Sequence, residues 1–135
     1  MNEQTEFALD FKKAGGLIPA IVQDDATGDV LMLAYMNEAA LAATRLTGVV
    51  TFYSRSRQTL WIKGESSGHR LLLRQLLVDC DADAVVARVA PQGPGVCHNG
   101  YRSCFYRAMD GAGEVTAIAP QAFDPATVYG AGDAR

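Results

Sequence analysis

Three cysteines and three closely spaced aspartates share one stretch of this chain. It opens with Asp79-Cys80-Asp81-Ala82-Asp83 and closes with Cys97-His98-Asn99-Gly100-Tyr101-Arg102-Ser103-Cys104; no other cysteine exists. Thiolates suit a soft ion such as zinc, whereas carboxylates suit magnesium or calcium. Two unlike donor sets in one segment point to a hydrolytic metalloenzyme more than to a structural knot. Three cysteines cannot all pair, which excludes a complete disulfide framework. There is no Cys-x-x-Cys pair, so the spacing does not make a zinc finger. Three protein ligands with one open position is the pattern of catalytic zinc, and His98 in the fourth position would make the site structural. The competing reading is that the cysteines are small buried hydrophobes.

The aspartates invite comparison with a helix-loop-helix calcium site. Such a loop needs Gly at its sixth position and Glu at its twelfth. Counted from Asp79, those positions hold Ala84 and Ala90, so the calcium loop is excluded. In a flat strand the three carboxylates would face one side, about 6.5 Å apart, too far for one ion with bonds of about 2.0–2.6 Å. A strand end or a turn is therefore expected here. A solvated acidic turn without metal is the bland alternative.

The elements that must position these residues read as mixed α and β. Leu17 to Gln23 and Val30 to Tyr35 are apolar strand candidates joined by the turn Asp24–Asp29, which predicts a hairpin. Asn37 is placed to cap a helix through Leu41 and Arg45 that stops near Gly48. Val49 to Tyr53, Leu60 to Lys63, Leu71 to Val78 and Val85 to Val89 are further strand candidates, the last two flanking the aspartates. Gly64 and Gly68 lie in a polar loop, and Pro91-Gln92-Gly93-Pro94-Gly95 reads as loop because proline lacks a ladder donor. Ser103 to Arg107 and Val115 to Ile118 are expected to close the sheet, with the tail after Pro120 wrapping the surface. The expected fold class is α+β: one domain over 1–135, a mostly antiparallel mixed sheet with one main helix.

Ser54-Arg55-Ser56-Arg57 is a second polar constellation. In an extended segment both arginines share one face and both hydroxyls the other. Guanidinium groups grip phosphate oxygens in a bidentate manner, and Lys63 with the backbone of Gly64 and Gly68 would complete a phosphate pocket. A charged edge strand that resists aggregation is the alternative. Trp61 either stacks on a purine or belongs to the core. His69 reads as a surface residue. His98 adjoins a metal-type ligand, and its ordinary pKa of about 6.5 suits a proton carrier; orienting the loop is its other possible role.

These motifs together resemble phosphoribosyl-AMP cyclohydrolase, the third step of histidine biosynthesis. The likeness covers about residues 16–107. It is carried by Gly16-Leu17-Ile18-Pro19-Ala20, Leu31-Met32-Leu33-Ala34-Tyr35-Met36-Asn37, Ser54-Arg55-Ser56-Arg57, Leu60-Trp61-Ile62-Lys63-Gly64-Glu65 and Ser67-Gly68, then by Asp79-Cys80-Asp81-Ala82-Asp83, Cys97-His98 and Arg102-Ser103-Cys104-Phe105-Tyr106-Arg107. Asn99 stands where Thr is usual, and Tyr101 where Arg is usual. The resemblance implies magnesium on Asp79, Asp81 and Asp83, zinc on Cys80, Cys97 and Cys104, and a homodimer whose active site uses both chains. It implies water cleaving the N1–C6 bond of 1-(5-phosphoribosyl)-AMP. Zinc-activated water attacking a purine C6 is also the logic of zinc deaminases, but their His-x-Glu and Cys-x-x-Cys motifs are missing. Three thiolates give zinc a formal charge of −1, so a nearby cation, Arg102 or His98, or the cationic substrate ring, is expected to offset it.

Composition bounds the remaining classes. With 135 residues and 49% hydrophobic content the chain can bury one small core. A net charge of −3 argues against a general nucleic-acid surface. No apolar run is long enough to span a membrane. Glu3, Glu6 and Asp10 do not make a signal peptide, and thiols kept for metal fit the reducing cytoplasm. At this length a second enzyme domain, such as the pyrophosphohydrolase sometimes fused in the resembling family, is not expected. Two other readings stay in view: a non-catalytic, metal-stapled dimer that binds nucleotides, and a redox-sensing thiol protein.

Overall fold

Period-two alternation sets the main sheet. In the computed structural model, which describes residues 9–13, 15–65 and 67–128, the first strand buries Ile18, Ala20 and Val22 and leaves Pro19, Ile21 and Gln23 half-exposed. Alternate side chains of a strand face opposite sides, so one face enters the core and the other does not. The order along the chain is β1 (Ile18–Asp24), β2 (Val30–Met36), α1 (Glu38–Thr47), β3 (Thr51–Ser54), β4 (Thr59–Ile62), β5 (Leu71–Val78), β6 (Val85–Pro91), β7 (Arg107–Met109), β8 (Val115–Ala117) and α2 (Pro125–Val128). Four strands form one sheet in the order β2-β1-β6-β5. β1 runs antiparallel to β2 and parallel to β6, and β5 runs antiparallel to β6. This is the expected α+β class with a mixed, mostly antiparallel sheet.

The core lies on one face of that sheet. Val85, Ala87 and Val89 of β6 meet the buried residues of β1, together with Leu31 and Met36 of β2 and Leu71 of β5. Helix α1 contributes Ala40, and Val50 and Phe52 close the layer from the β3 segment. Asn37 caps α1 as expected: its side-chain oxygen accepts the Ala40 N–H at 2.8 Å, satisfying one orphan donor of the first turn. Gly48 ends the helix at φ 77°, and its N–H bonds the Thr44 carbonyl. The Thr44 hydroxyl donates to the Ala40 carbonyl at 2.8 Å and accepts the Thr51 N–H at 2.9 Å, so it ties the helix to β3 inside the core.

Several expectations are corrected. Ser103 to Arg107 does not extend the main sheet. The Ser103 hydroxyl bonds the Val30 carbonyl at 2.8 Å and accepts the Phe105 N–H at 2.9 Å, and such side-chain bonding competes with a ladder. β7 and β8 form a separate exposed hairpin. Val49 makes only an isolated bridge, to Leu72, and the strand proper starts at Thr51. Ser54–Arg57 is no extended segment: β3 ends at Ser54 and a turn leads into β4. The tail folds back as expected, since Ala122 and Phe123 donate to the Gly100 carbonyl at 2.7 and 3.1 Å, but it also carries the short helix α2. The readings at Glu3, Glu6 and residues 129–135 lie outside the described residues. Among the described residues no helix is long and apolar enough to cross a membrane.

Candidate active site

A cavity of about 740 Å³ opens beside edge strand β2. Its walls come from Met32 to Tyr35 of β2, from Tyr53 to Ser56 at the β3–β4 turn, from Trp61 and Lys63, and from His98, Cys104 and Phe105. Three groups that are far apart in the chain thus converge: two hydroxyls with an arginine, a nearly buried lysine, and an imidazole beside a thiol. The Ser54 and Ser56 hydroxyls lie 3.3 Å apart, and Ser54 also accepts the Arg57 N–H at 3.2 Å. That turn points Arg55 to the cavity, while Arg57 does not line it. Trp61 packs against the core and borders the cavity. One side packs on Phe52, with ring centroids 4.9 Å apart. Neither Gly64 nor Gly68 lines the cavity.

Gly64 has a different task, and His69 is a residue that sequence reasoning misplaced. His69 is half-buried. At Gly64, φ 90°, a Cβ would stand 2.2 Å from the His69 carbonyl oxygen; at Gly93, φ 83°, one would stand 2.3 Å from His69 Nδ1. Only glycine leaves room at both places. The signal available in sequence was a His after Gly68, which does not reveal what packs on what.

Two of the three thiols sit in the irregular loop after β6. Cys97 is buried and Cys104 is exposed. The loop is closed by the Val96 N–H to the Arg102 carbonyl and the Cys97 N–H to the Tyr101 carbonyl, both 3.1 Å. The Asn99 N–H points at Cys97 Sγ, 3.4 Å away, so the sulfur is already an acceptor, the role of a thiolate ligand. The Cys104 N–H bonds the Leu31 carbonyl at 2.7 Å, which fixes this thiol at the start of β2. The structure does not bring Cys80 to them. Cys80 lies in the turn from β5 to β6, at the other end of the sheet and on the side of the opposite edge strand. Within one chain Cys80 therefore does not join Cys97 and Cys104.

The aspartates do converge. Asp79, Asp81 and Asp83 occupy the β5–β6 turn with carboxylate oxygens within 4.8 Å of one another. Asp79 Oδ1 accepts the Asp83 N–H at 2.9 Å, and Ala82 adopts φ 66°, the bend needed to gather alternate residues. Octahedral magnesium needs ligand oxygens about 2.9–4.1 Å apart, from bonds of about 2.05 Å, so a slight contraction suffices. A cation already stands there: Lys13 Nζ lies 3.0 Å from Asp81 and 3.3 Å from Asp83. Hydrogen bonds to Asp81 and Asp83 raise the Lys13 pKa, and the Lys13 bond holds the Asp81 carboxyl below its ordinary range. Asp83 is pushed up, first by the neighbouring Asp79 and then by lost hydration.

Arg102 is engaged elsewhere. Its guanidinium pairs with Asp24 and, at 2.7 Å, with Asp29, both on the β1–β2 turn. It lines a second cavity of about 550 Å³, with Asp24, Asp25 and Arg74.

The match to known proteins decides the family. The family model of phosphoribosyl-AMP cyclohydrolase matches residues 32–106, more than half of the chain. The chain belongs to the phosphoribosyl-AMP cyclohydrolase family. Proteins of that name from Solibacter usitatus, Desulforapulum autotrophicum and Methanococcoides burtonii are 55%, 52% and 53% identical to it. The alignments cover 90%, 90% and 84% of this chain, and 96%, 97% and 90% of those relatives. The chain is an enzyme of the phosphoribosyl-AMP cyclohydrolase type. The matched residues run from β2 to the cysteine loop and include all six metal-type side chains. At the departing position, Tyr101 stacks on Tyr106 with ring centroids 3.5 Å apart and an interplanar angle of 3°, so an aromatic pair braces the loop there.

Proposed function

We propose that this cyclohydrolase opens the purine ring of 1-(5-phosphoribosyl)-AMP in L-histidine biosynthesis. Water adds at C6, the N1–C6 bond breaks, N1 takes a proton, and C6 becomes the carboxamide of the formimino-aminoimidazole-carboxamide ribonucleotide. The observation that carries this reading is the cavity in which Ser54, Arg55, Ser56 and Lys63 face His98 and Cys104. The hydroxyls and Arg55 bind a phosphate, with Lys63 adding positive charge. Arg57 supports the same turn. Trp61 offers a flat face to the base. His98, exposed beside Cys104, moves the proton to the leaving nitrogen.

Cys80, Cys97 and Cys104 are assigned to zinc, and Asp79, Asp81 and Asp83 to magnesium. The donor chemistry fits both: the Asn99 N–H already supports Cys97 sulfur, and the carboxylates already hold a cationic group. Zinc supplies acidified water when bound, and magnesium supplies positive charge against phosphate. Because Cys80 stands apart from Cys97 and Cys104, the trio needs Cys80 from one copy and the other two from a second.

The main sheet supports such a homodimer. Leu33, Ile21, Val86 and Leu77 are successive cross-strand partners, so they form one apolar row on the face away from the core. Leu33 and Leu77 are 43% and 40% exposed in a single chain. A patch of this kind marks an interface. Thiol ligands suit a reducing, cytoplasmic setting.

The test is to incubate protein loaded with zinc and magnesium with phosphoribosyl-AMP and to follow ring opening by ultraviolet absorbance. Turnover is expected. Stoichiometric nucleotide binding without turnover would establish the non-catalytic dimer instead. Reversible disulfides and no bound zinc would establish a redox sensor.

A further inference from the structure

The loop from Val96 to Cys104 has no regular structure, yet two of the three thiols depend on its shape. Something must hold it. Gly95 lies so close that a Cβ there would stand 2.5 Å from the Tyr101 carbonyl oxygen and 2.7 Å from Arg102 Cα. The strongest anchor is the Arg102 side chain. Its Nη1 donates to Asp29 at 2.7 Å, and its Nη2 donates to Asp24 and to the Thr27 hydroxyl at 3.2 Å. Asp24 is nearly buried, and its second oxygen accepts the Ala26 N–H at 2.9 Å. A buried carboxylate needs a paired charge, and Arg102 is the paired charge Asp24 has. Ser103 and Cys104 then bond the Val30 and Leu31 carbonyls. The Arg102 carbonyl accepts the Val96 N–H, one residue before Cys97. One residue thus links both thiols to the β1–β2 turn.

We propose that Arg102, gripped by Asp24 and Asp29, is a positioning residue that sets Cys97 and Cys104 for the metal and does not touch the substrate. This rests on the zinc assignment above. The fork is required because one guanidinium meets two carboxylates and a hydroxyl at once; a lysine ammonium is a point charge without that planar reach. Arg102 lines the smaller cavity and not the one that gathers Arg55, Trp61 and His98.

The test compares the full-length wild type with Arg102→Gln, Arg102→Lys and Asp29→Asn. Zinc affinity is read by competition with a chromogenic chelator, and thiolate ligation by the charge-transfer absorption of the cobalt-substituted proteins. Arg102→Gln should weaken zinc about ten- to a hundredfold, as loss of a group orienting metal ligands does, and should weaken the cobalt–thiolate band. Arg102→Lys should recover part of the affinity. Asp29→Asn, a change at an exposed side chain, should fold and lose less affinity in the same direction. KM at saturating zinc should stay as in the wild type. Wild-type affinity and cobalt spectrum in folded Arg102→Gln would overturn the proposal, and so would a raised KM, which would assign Arg102 to substrate. If Arg102→Gln does not fold, unchanged zinc affinity in Asp29→Asn overturns it equally. A wild type that takes up no zinc is a separate result: it removes the zinc assignment itself, and this inference with it.

Discussion

Arg55 and Arg57 are two residues apart, yet the β3–β4 turn sends only Arg55 to the cavity. A charge-assisted hydrogen bond lost from a phosphate contact costs about 1.5–3 kcal/mol, or roughly ten- to a hundredfold in binding. Arg55→Ala should therefore raise KM by that factor, and Arg57→Ala should raise it by clearly less. Steady-state kinetics showing equal effects would place both guanidinium groups on the substrate. The aspartate turn allows a second test at this scale. The folded-state pKa of Asp83 is raised, so its ionisation costs stability in the absence of metal, and that cost disappears as pH falls through the raised pKa. Asp81 is held low by Lys13, so its favourable contribution is present above the ordinary carboxylate pKa and is lost only at more acid pH. With chelator present, Asp83→Asn should be more stable than wild type at neutral pH, and the gap should close on acidification. Urea midpoints from pH 7 to pH 4 measure this. A gap that grows on acidification contradicts the cluster's repulsion.

At the scale of elements, the joint between α1 and β3 carries the turn whose Ser54, Arg55 and Ser56 line the cavity. Thr44 supplies the side-chain bond between the two: its hydroxyl, which donates to the Ala40 carbonyl within the helix, accepts the buried Thr51 N–H at 2.9 Å. Thr44→Val keeps the shape but leaves the Thr51 N–H unsatisfied. It should cost about 1–3 kcal/mol in chemical unfolding. A change within error would show that water or a backbone shift satisfies Thr51. The sequence marked the helix through Asn37 and Gly48 because capping is local chemistry. It did not mark this joint, because a threonine seven residues from its partner looks like any other threonine.

Across the whole molecule, the proposed zinc trio and the separation of Cys80 from Cys104 together require two chains for activity. Cys80→Ser and Cys104→Ser should each lose zinc and activity when assayed alone. Mixed and allowed to exchange subunits, they form heterodimers with one intact thiolate set and one doubly damaged set. Random pairing should restore roughly a quarter of wild-type activity, because a two-fold interface presents each site with residues from both partners. No recovery, despite heterodimers confirmed by mass spectrometry, would place all three thiols in one chain. The apolar row through Ile21 and Val86 gives a companion test. Leu77→Lys should dissociate the dimer in sedimentation and release zinc with it.

The sequence by itself determined the donor chemistry and most of the local elements. Softness and hardness belong to residue types, so thiolates and carboxylates could be sorted without coordinates. Short apolar runs marked β1 and β6, and the structure shows their burial alternating with period two. The need for a bend at the aspartates followed from bond lengths alone, and Ala82 supplies it. Only the tertiary structure decided who meets whom. The parallel pairing of β1 with β6 carries the Asp79–Asp83 turn and the start of β2 to opposite ends of the sheet, which parts Cys80 from Cys104. The same topology brings Arg102 to Asp24, a pair 78 residues apart in the chain. Such meetings depend on strand order and register, and those are set by how the whole chain buries its apolar faces.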